Sequence, residues 1–170
     1  MSSTPLIREA ATKDHARIIS VVHAAFTPEP VDGIVDVLWK DNALVHEVVS
    51  ENEGDITGYC GFSRIEMTPT VEGKLLQLSP VAISPAHQRR GIGKTLVAQA
   101  IENCRLAGAD VIAVLGDPGY YGQFGFKPAK PRNITWEDRE TGNALQFIDF
   151  TDSLDNTPRQ IHMHPAFSEG

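Results

Sequence analysis

The chain has 170 residues, 41% of them apolar and 22% charged, ordinary globular usage and enough length for one substantial core, which excludes a disordered or fibrous chain. Lys and Arg total 15 against 22 Asp and Glu, a net charge of −7, a balance that disfavours a nucleic-acid partner; a cationic amine substrate would suit that field, and plain solubility is the simpler reading. No apolar run approaches the roughly 20 residues of a membrane span, the opening Met1-Ser2-Ser3-Thr4-Pro5 lacks signal-peptide regions, and two cysteines, Cys60 and Cys104, make no disulfide framework, so the expectation is a cytoplasmic protein with buried thiols and no membrane partner.

Leu6-Ile7-Arg8 opens a short strand. Thr12-Lys13-Asp14 offers a helix cap, and Ile18, Ile19, Val22 and Phe26 follow at helical spacing until Pro28 and Pro30. Ile34, Val35, Leu38 and Trp39 predict a second helix. Strands are expected at Val45–Ser50 and Thr57–Met67, joined through the turn residues Glu53-Gly54-Asp55. Leu75–Ile83 reads as a buried strand. Gly93–Ala107 reads as a helix with Leu96, Val97, Ala100, Ile101 and Cys104 on its apolar face and Gly108 at its end. Asp110–Leu115 is a continuous apolar strand. A turn at Gly116-Asp117-Pro118-Gly119, a helical stretch at Tyr120–Phe124 and strands at Leu145–Phe150 and Arg159–His164 complete the chain. Trp136-Glu137-Asp138-Arg139 reads as loop or surface. With no internal repeat or linker, the expectation is one α/β domain over 1–170 with a mixed sheet.

The segment Gln88-Arg89-Arg90-Gly91-Ile92-Gly93-Lys94-Thr95 joins a buried strand to an amphipathic helix. Glycine lets the backbone turn tightly and approach a ligand. The first N–H groups of the helix lack partners within it, and the dipole adds positive charge there. A diphosphate is the natural occupant, with Arg89, Arg90 and Lys94 adding charge at the rim. Gly93-Lys94-Thr95 also looks like the end of a nucleotide-binding P-loop, but that pattern needs glycine where Gln88 stands. A dinucleotide fingerprint needs a small residue where Leu96 stands.

Gln88-x-x-Gly91-x-Gly93 resembles the acyl-CoA signature of the GNAT superfamily of N-acetyltransferases, as do the flanking Pro80-Val81-Ala82-Ile83-Ser84-Pro85 and Leu96-Val97. Tyr120-Tyr121 before Gly125-Phe126 resembles that superfamily's second motif. Leu115-Gly116-Asp117-Pro118, His164-Pro165-Ala166-Phe167 and Ile7-Arg8-Glu9-Ala10 with Asp14 are similar to its YhbS-like branch. The resemblance implies the GNAT fold, a central mixed sheet with helices on both faces, and acetyl-CoA as cosubstrate. It implies cofactor binding by Val81, Ala82, Ile83, Gln88, Arg89, Arg90, Gly91, Ile92, Gly93, Lys94 and Thr95, with Val81 and Ile83 bonding pantetheine through their main chain. Pro80, which lacks a ladder donor, fits the bulge that opens this strand in the family. Tyr121 falls at the family's general-acid tyrosine. A phenol, with an ordinary pKa of about 10, can donate to a leaving thiolate.

Several members carry a catalytic glutamate where Gln77 stands, and an amide is no base. Water or Glu66 is left for that role, with a solvated Glu66 the simpler reading. His162 and His164 fall on one face of a strand, too few ligands for zinc, and no metal is expected. His87 reads as solvated. The expected reaction is acetyl transfer to a small-molecule or peptide amine by direct attack in a ternary complex. A non-catalytic acyl-CoA sensor of the same fold is the alternative, and the resemblance allows a homodimer.

Overall fold

The computed structural model describes residues 4–137 and 139–167. In chain order its elements are β1 (Leu6–Glu9), α1 (His15–Phe26), α2 (Val31–Lys40), β2 (Leu44–Asn52), β3 (Asp55–Arg64), β4 (Glu66–Thr68), β5 (Leu75–Ile83), α3 (Ile92–Leu106), β6 (Val111–Leu115), α4 (Pro118–Tyr121), β7 (Lys127–Pro128), β8 (Ile134–Trp136), β9 (Leu145–Asp149) and β10 (Arg159–His162). They fall into two compact units. Unit 1 takes the chain up to Ser63 and Ser79–Asn103; unit 2 takes Arg64–Leu78 and everything from Cys104 onward.

In unit 1 the strand order is β1-β2-β3-β5. β1 and β3 both pair antiparallel with β2, Ile7 opposite Ser50 and Val49 opposite Tyr59. Strand β3 is buried from Ile56 to Ser63, because successive residues point to opposite faces and both faces are covered. On the face of Tyr59 the apolar stripes of α1 and α2 supply Ile18, Val22 and Val35 to one core that also holds Val49 and Ala82. On the other face stands Gly58. A Cβ there would meet Ile83 Cδ1 at 2.8 Å and Leu96 Cδ2 of α3 at 3.1 Å. The bare backbone is therefore what lets α3 lie close to β3.

In unit 2 the order is β5-β6-β9-β7, with β6 parallel to β5 and antiparallel to β9. A second sheet, β4-β10-β8, sets β10 antiparallel to β4 and parallel to β8. The core of this unit gathers Ile65, Met67, Val111, Phe147 and Ile161.

Four expectations change. The run 57–67 is two strands: Ile65 donates its N–H to Leu75 C=O, and Glu66–Thr68 pairs with β10. Ser63 and Arg64 interrupt the alternation, but the pattern from Ile65 to Thr68 does not say which sheet it joins. Helix α4 starts at Pro118, with Asp117 Oδ1 accepting the Gly119 N–H at 2.9 Å; proline suits the first helical position, whose N–H needs no partner. Trp136 belongs to β8, opposite Ile161, and the Arg139 guanidinium lies 4.5 Å from its ring centroid; Asp138 lies outside the described residues. His164 follows β10 rather than ending it, so the two histidines do not share a strand face; His162 Nε2 lies 2.7 Å from Thr68 Oγ1.

The start of the chain is held by ion pairing. Arg8 donates to both carboxylate oxygens of Asp14, at 2.8 and 3.1 Å, and through Nε to Glu51 at 2.7 Å. The Arg8 guanidinium holds the Asp14 carboxyl down at about 2. Asp14→Asn is expected to cost about 1–3 kcal/mol in urea unfolding near neutral pH, because it removes charge-assisted hydrogen bonds from a part-buried pair. A depressed carboxyl stabilises the fold above its ordinary 3.8 and loses that contribution as pH falls through about 2, so mutant and wild type should converge in acid.

Candidate active site

The residues expected to bind an anion lie together in unit 1. Val81, Ala82 and Ile83 end β5, Ala82 buried and its two neighbours half-buried. After a single 3-10 turn at Pro85–His87 the chain reaches Gln88. Its Nε2 donates to the Ile83 carbonyl at 3.0 Å. The side chain that separates this loop from a P-loop thus ties the loop back to the strand, and it occupies one of the two main-chain groups of Ile83.

Arg89 at φ 64° and Gly91 at φ 78° are both left-handed. That conformation strains arginine and is relaxed for glycine. Strain of this kind persists where surroundings hold it in place, and it concentrates at binding loops. Nothing lies within 4 Å of where a Cβ of Gly91 would be, so its backbone faces open space. Helix α3 begins at the next residue. Thr95 returns both its N–H (3.2 Å) and its hydroxyl (3.1 Å) to Gly91 C=O, which closes the first turn. The N–H groups of Ile92, Gly93 and Lys94 are the ones that helix geometry leaves over. Arg89, Arg90, Lys94 and Thr95 are exposed. A loop of open backbone, a helix start and three cations is suited to a diphosphate.

Tyr121 lies in unit 2, at the end of α4, half-buried. Its ring meets Phe126 edge to face at 5.8 Å and Tyr120 at 5.0 Å. It also covers Gly116: a Cβ there would be 2.4 Å from Tyr121 Cε2. The Gly-Phe that follows the tyrosine is therefore its packing surface, since Gly125, at φ 99°, turns the chain so that Phe126 is buried beneath it.

Gln77, in unit 2, is 3% exposed and opposite Ala113, and its Oε1 has no partner among the described residues. Glu66 is exposed, as a solvated carboxylate would be. His87 departs from expectation: it is half-buried, and its Nδ1 is shut off from water with no partner among the described residues. Cys60 and Cys104 are buried thiols. Among the described residues no group of three or more His, Cys, Asp or Glu is arranged to hold a metal, and no helix is long and apolar enough to cross a membrane.

Two polar features escaped the reading of the chain. In unit 1 the buried Tyr59 hydroxyl donates to Glu47 Oε2 at 2.8 Å. Burial pushes the Glu47 carboxyl up, against the lowering effect of that bond. In unit 2 Gln146 is 1% exposed and reaches the carbonyls of Gly116 and Ala144. The only sequence signal is one polar residue inside an apolar strand.

An open glycine loop after a buried strand, in a fold with a mixed sheet, is the arrangement that the resemblance to acyl-CoA-dependent transferases implies. Residues 14–126 match the acetyltransferase (GNAT) family, and the chain belongs to that family. It is 26% identical over 168 residues to the uncharacterized N-acetyltransferase YhbS of Escherichia coli (strain K12), covering 96% of this chain and 98% of that one. A GNAT family acetyltransferase from Brucella melitensis, solved in complex with acetyl-CoA, is 30% identical with a TM-score of 0.80, covering 96% and 98%. The fold also matches Escherichia coli YhbS in complex with CoA, at 23% identity and a TM-score of 0.89, covering 97% and 92%. The chain is thus an acyltransferase of the GNAT fold, and acetyl-CoA is the family's cosubstrate.

Gly116→Ala is expected to lower stability by about 1–3 kcal/mol, because the Tyr121 ring must leave its place. Chemical unfolding measures the loss, and Tyr121→Ala should restore most of it by clearing the space.

Proposed function

We propose that residues 1–170 form a single N-acetyltransferase domain that moves acetyl from acetyl-CoA to a primary amine, of a small molecule or a peptide, by direct attack in a ternary complex. The observation that carries this reading is the cradle at Gly91: left-handed backbone with open space above it, directly before the N-terminus of α3. Gln88, Arg89, Arg90, Gly91, Ile92, Gly93, Lys94 and Thr95 bind the diphosphate. Val81, Ala82 and Ile83 bind the pantetheine arm through the main chain. The Ile83 carbonyl is already engaged by Gln88, so Ile83 contributes its N–H.

Bound acetyl-CoA supplies the acetyl group as a thioester. Tyr121 holds a proton at its hydroxyl and gives it to the thiolate released when the amine nitrogen takes the acetyl carbon. The amine's own proton leaves through water, since the amide of Gln77 takes none. The burial of Cys60 and Cys104 supports direct transfer over a cysteine-linked intermediate. Two unbridged thiols also support a reducing compartment, the cytoplasm. The amide at Gln77 favours one second reading, a non-catalytic acyl-CoA sensor of the same fold, and turnover separates the two.

CoA at a hundredfold excess over its Kd should raise the melting temperature by about 5 °C or more, whereas ATP with Mg²⁺ should leave it unchanged. Absence of any CoA shift sinks the cofactor assignment. Across a panel of primary amines with thiol detection, Tyr121→Phe should lower turnover about a hundredfold and leave the CoA shift intact. Wild-type turnover in that variant removes Tyr121 from the reaction.

A further inference from the structure

The role proposed for Tyr121 depends on where its ring is held, and the ring is held on Gly116. Tyr121 Cε2 and Cδ2 would lie 2.4 and 2.9 Å from a Cβ at that residue, so an edge of the ring rests on bare backbone. Gly116 is in turn pinned at both of its peptide groups. Its N–H donates to Ala144 C=O at 3.0 Å. Its C=O accepts from Gln146 Nε2 at 3.2 Å, and the same nitrogen donates to Ala144 C=O at 3.3 Å.

The two carbonyls settle which way the Gln146 amide points. Only its NH₂ end can face two acceptors. Its Oε1 is therefore turned away from them, and there it is buried with no partner among the described residues. A side chain kept for packing alone would not bring an unpaired acceptor into a place that is 1% exposed, because a buried oxygen without a donor costs stability that Leu or Met avoids. The neighbours of Gln146 along the strand, Leu145 and Phe147, are apolar core. What the amide contributes is its grip on the carbonyl from which the turn into α4 departs.

We propose that Gln146 is a positioning residue for acetyl transfer: it fixes the Gly116 peptide and thereby the place of the Tyr121 ring. The assignment rests on the reading of Tyr121 as proton donor. The chain has three tyrosines, Tyr59, Tyr120 and Tyr121, so full-length protein labelled with 3-fluorotyrosine gives three ¹⁹F resonances, and Y121F identifies that of Tyr121. Q146M should move or broaden the Tyr121 resonance and leave that of Tyr59 in place. Thiol release with the amine panel should fall about tenfold or more, with the KM for acetyl-CoA unchanged. In a Y121F background Q146M should cost nothing further. If Q146M collapses all three resonances, Q146E carries the test, since it keeps the shape and loses the amide donor. An unmoved Tyr121 resonance in the folded variant overturns the proposal, and so does an undiminished effect of Q146M in the Y121F background. Wild-type turnover in Y121F would instead defeat the proton-donor reading, and the resonance test would still decide what Gln146 holds.

Discussion

Everything proposed for unit 1 depends on the close approach of α3 to β3 at Gly58. A side chain there would collide with Ser50 Oγ at 2.6 Å and Ile83 Cδ1 at 2.8 Å, with Leu96 Cδ2 only 3.1 Å away. With no side chain, Leu96 of the helix and Ile83 of the strand close over the same patch of backbone. The Ser50 and Thr57 hydroxyls bond each other at 2.9 Å on this buried face, so the polar groups there are satisfied. The helix start is thereby set beside the end of β5, and the loop between them is too short to wander. Gln88 ties that loop to Ile83, and the left-handed residues Arg89 and Gly91 turn its backbone into the helix.

Two carboxylates of unit 1 show how partners decide chemistry in one small region. Asp14 faces the Arg8 guanidinium and stays ionised far into acid. Glu47 has a phenol for a partner, and burial outweighs that single bond, so its carboxyl is raised. Tyr59 reaches Glu47 because Gly61 leaves room: a Cβ there would lie 2.6 Å from the Tyr59 hydroxyl. A neutral donor solvates a carboxylate less well than a cation does, and burial removes the water that would make up the difference.

The two local motifs were legible in the chain because each is a contiguous stretch whose residue types follow from its own backbone. Gly91 is glycine because of its dihedral, Gln88 sits where it can return to Ile83, and Tyr121 precedes a Gly-Phe that forms its packing surface. Helices α1, α2 and α3 were likewise legible, since 3.6-residue periodicity reports burial on one face. The break of the 57–67 run was not: which sheet a strand joins is decided by a distant partner, here β10, and the alternation of Glu66, Met67 and Thr68 is the same in either sheet. The short strands β7 and β8 carry too few residues for any period.

The amino-acid sequence by itself determined the fold class, the turn of the Gln88–Thr95 loop into a helix and the packing of Tyr121 on Phe126, because these rest on neighbours within a few residues. Only the tertiary structure decided the supports. Gln146 holds Gly116 across 30 residues, Tyr59 meets Glu47 across 12, and Arg8 joins Glu51 across 43. Such contacts depend on strand register, and a polar residue in an apolar strand declares that it needs a partner without naming one. The loop at Gly91 is written in local dihedral preference, whereas the residues that hold the Tyr121 ring in place are written in distances that only folding brings within reach.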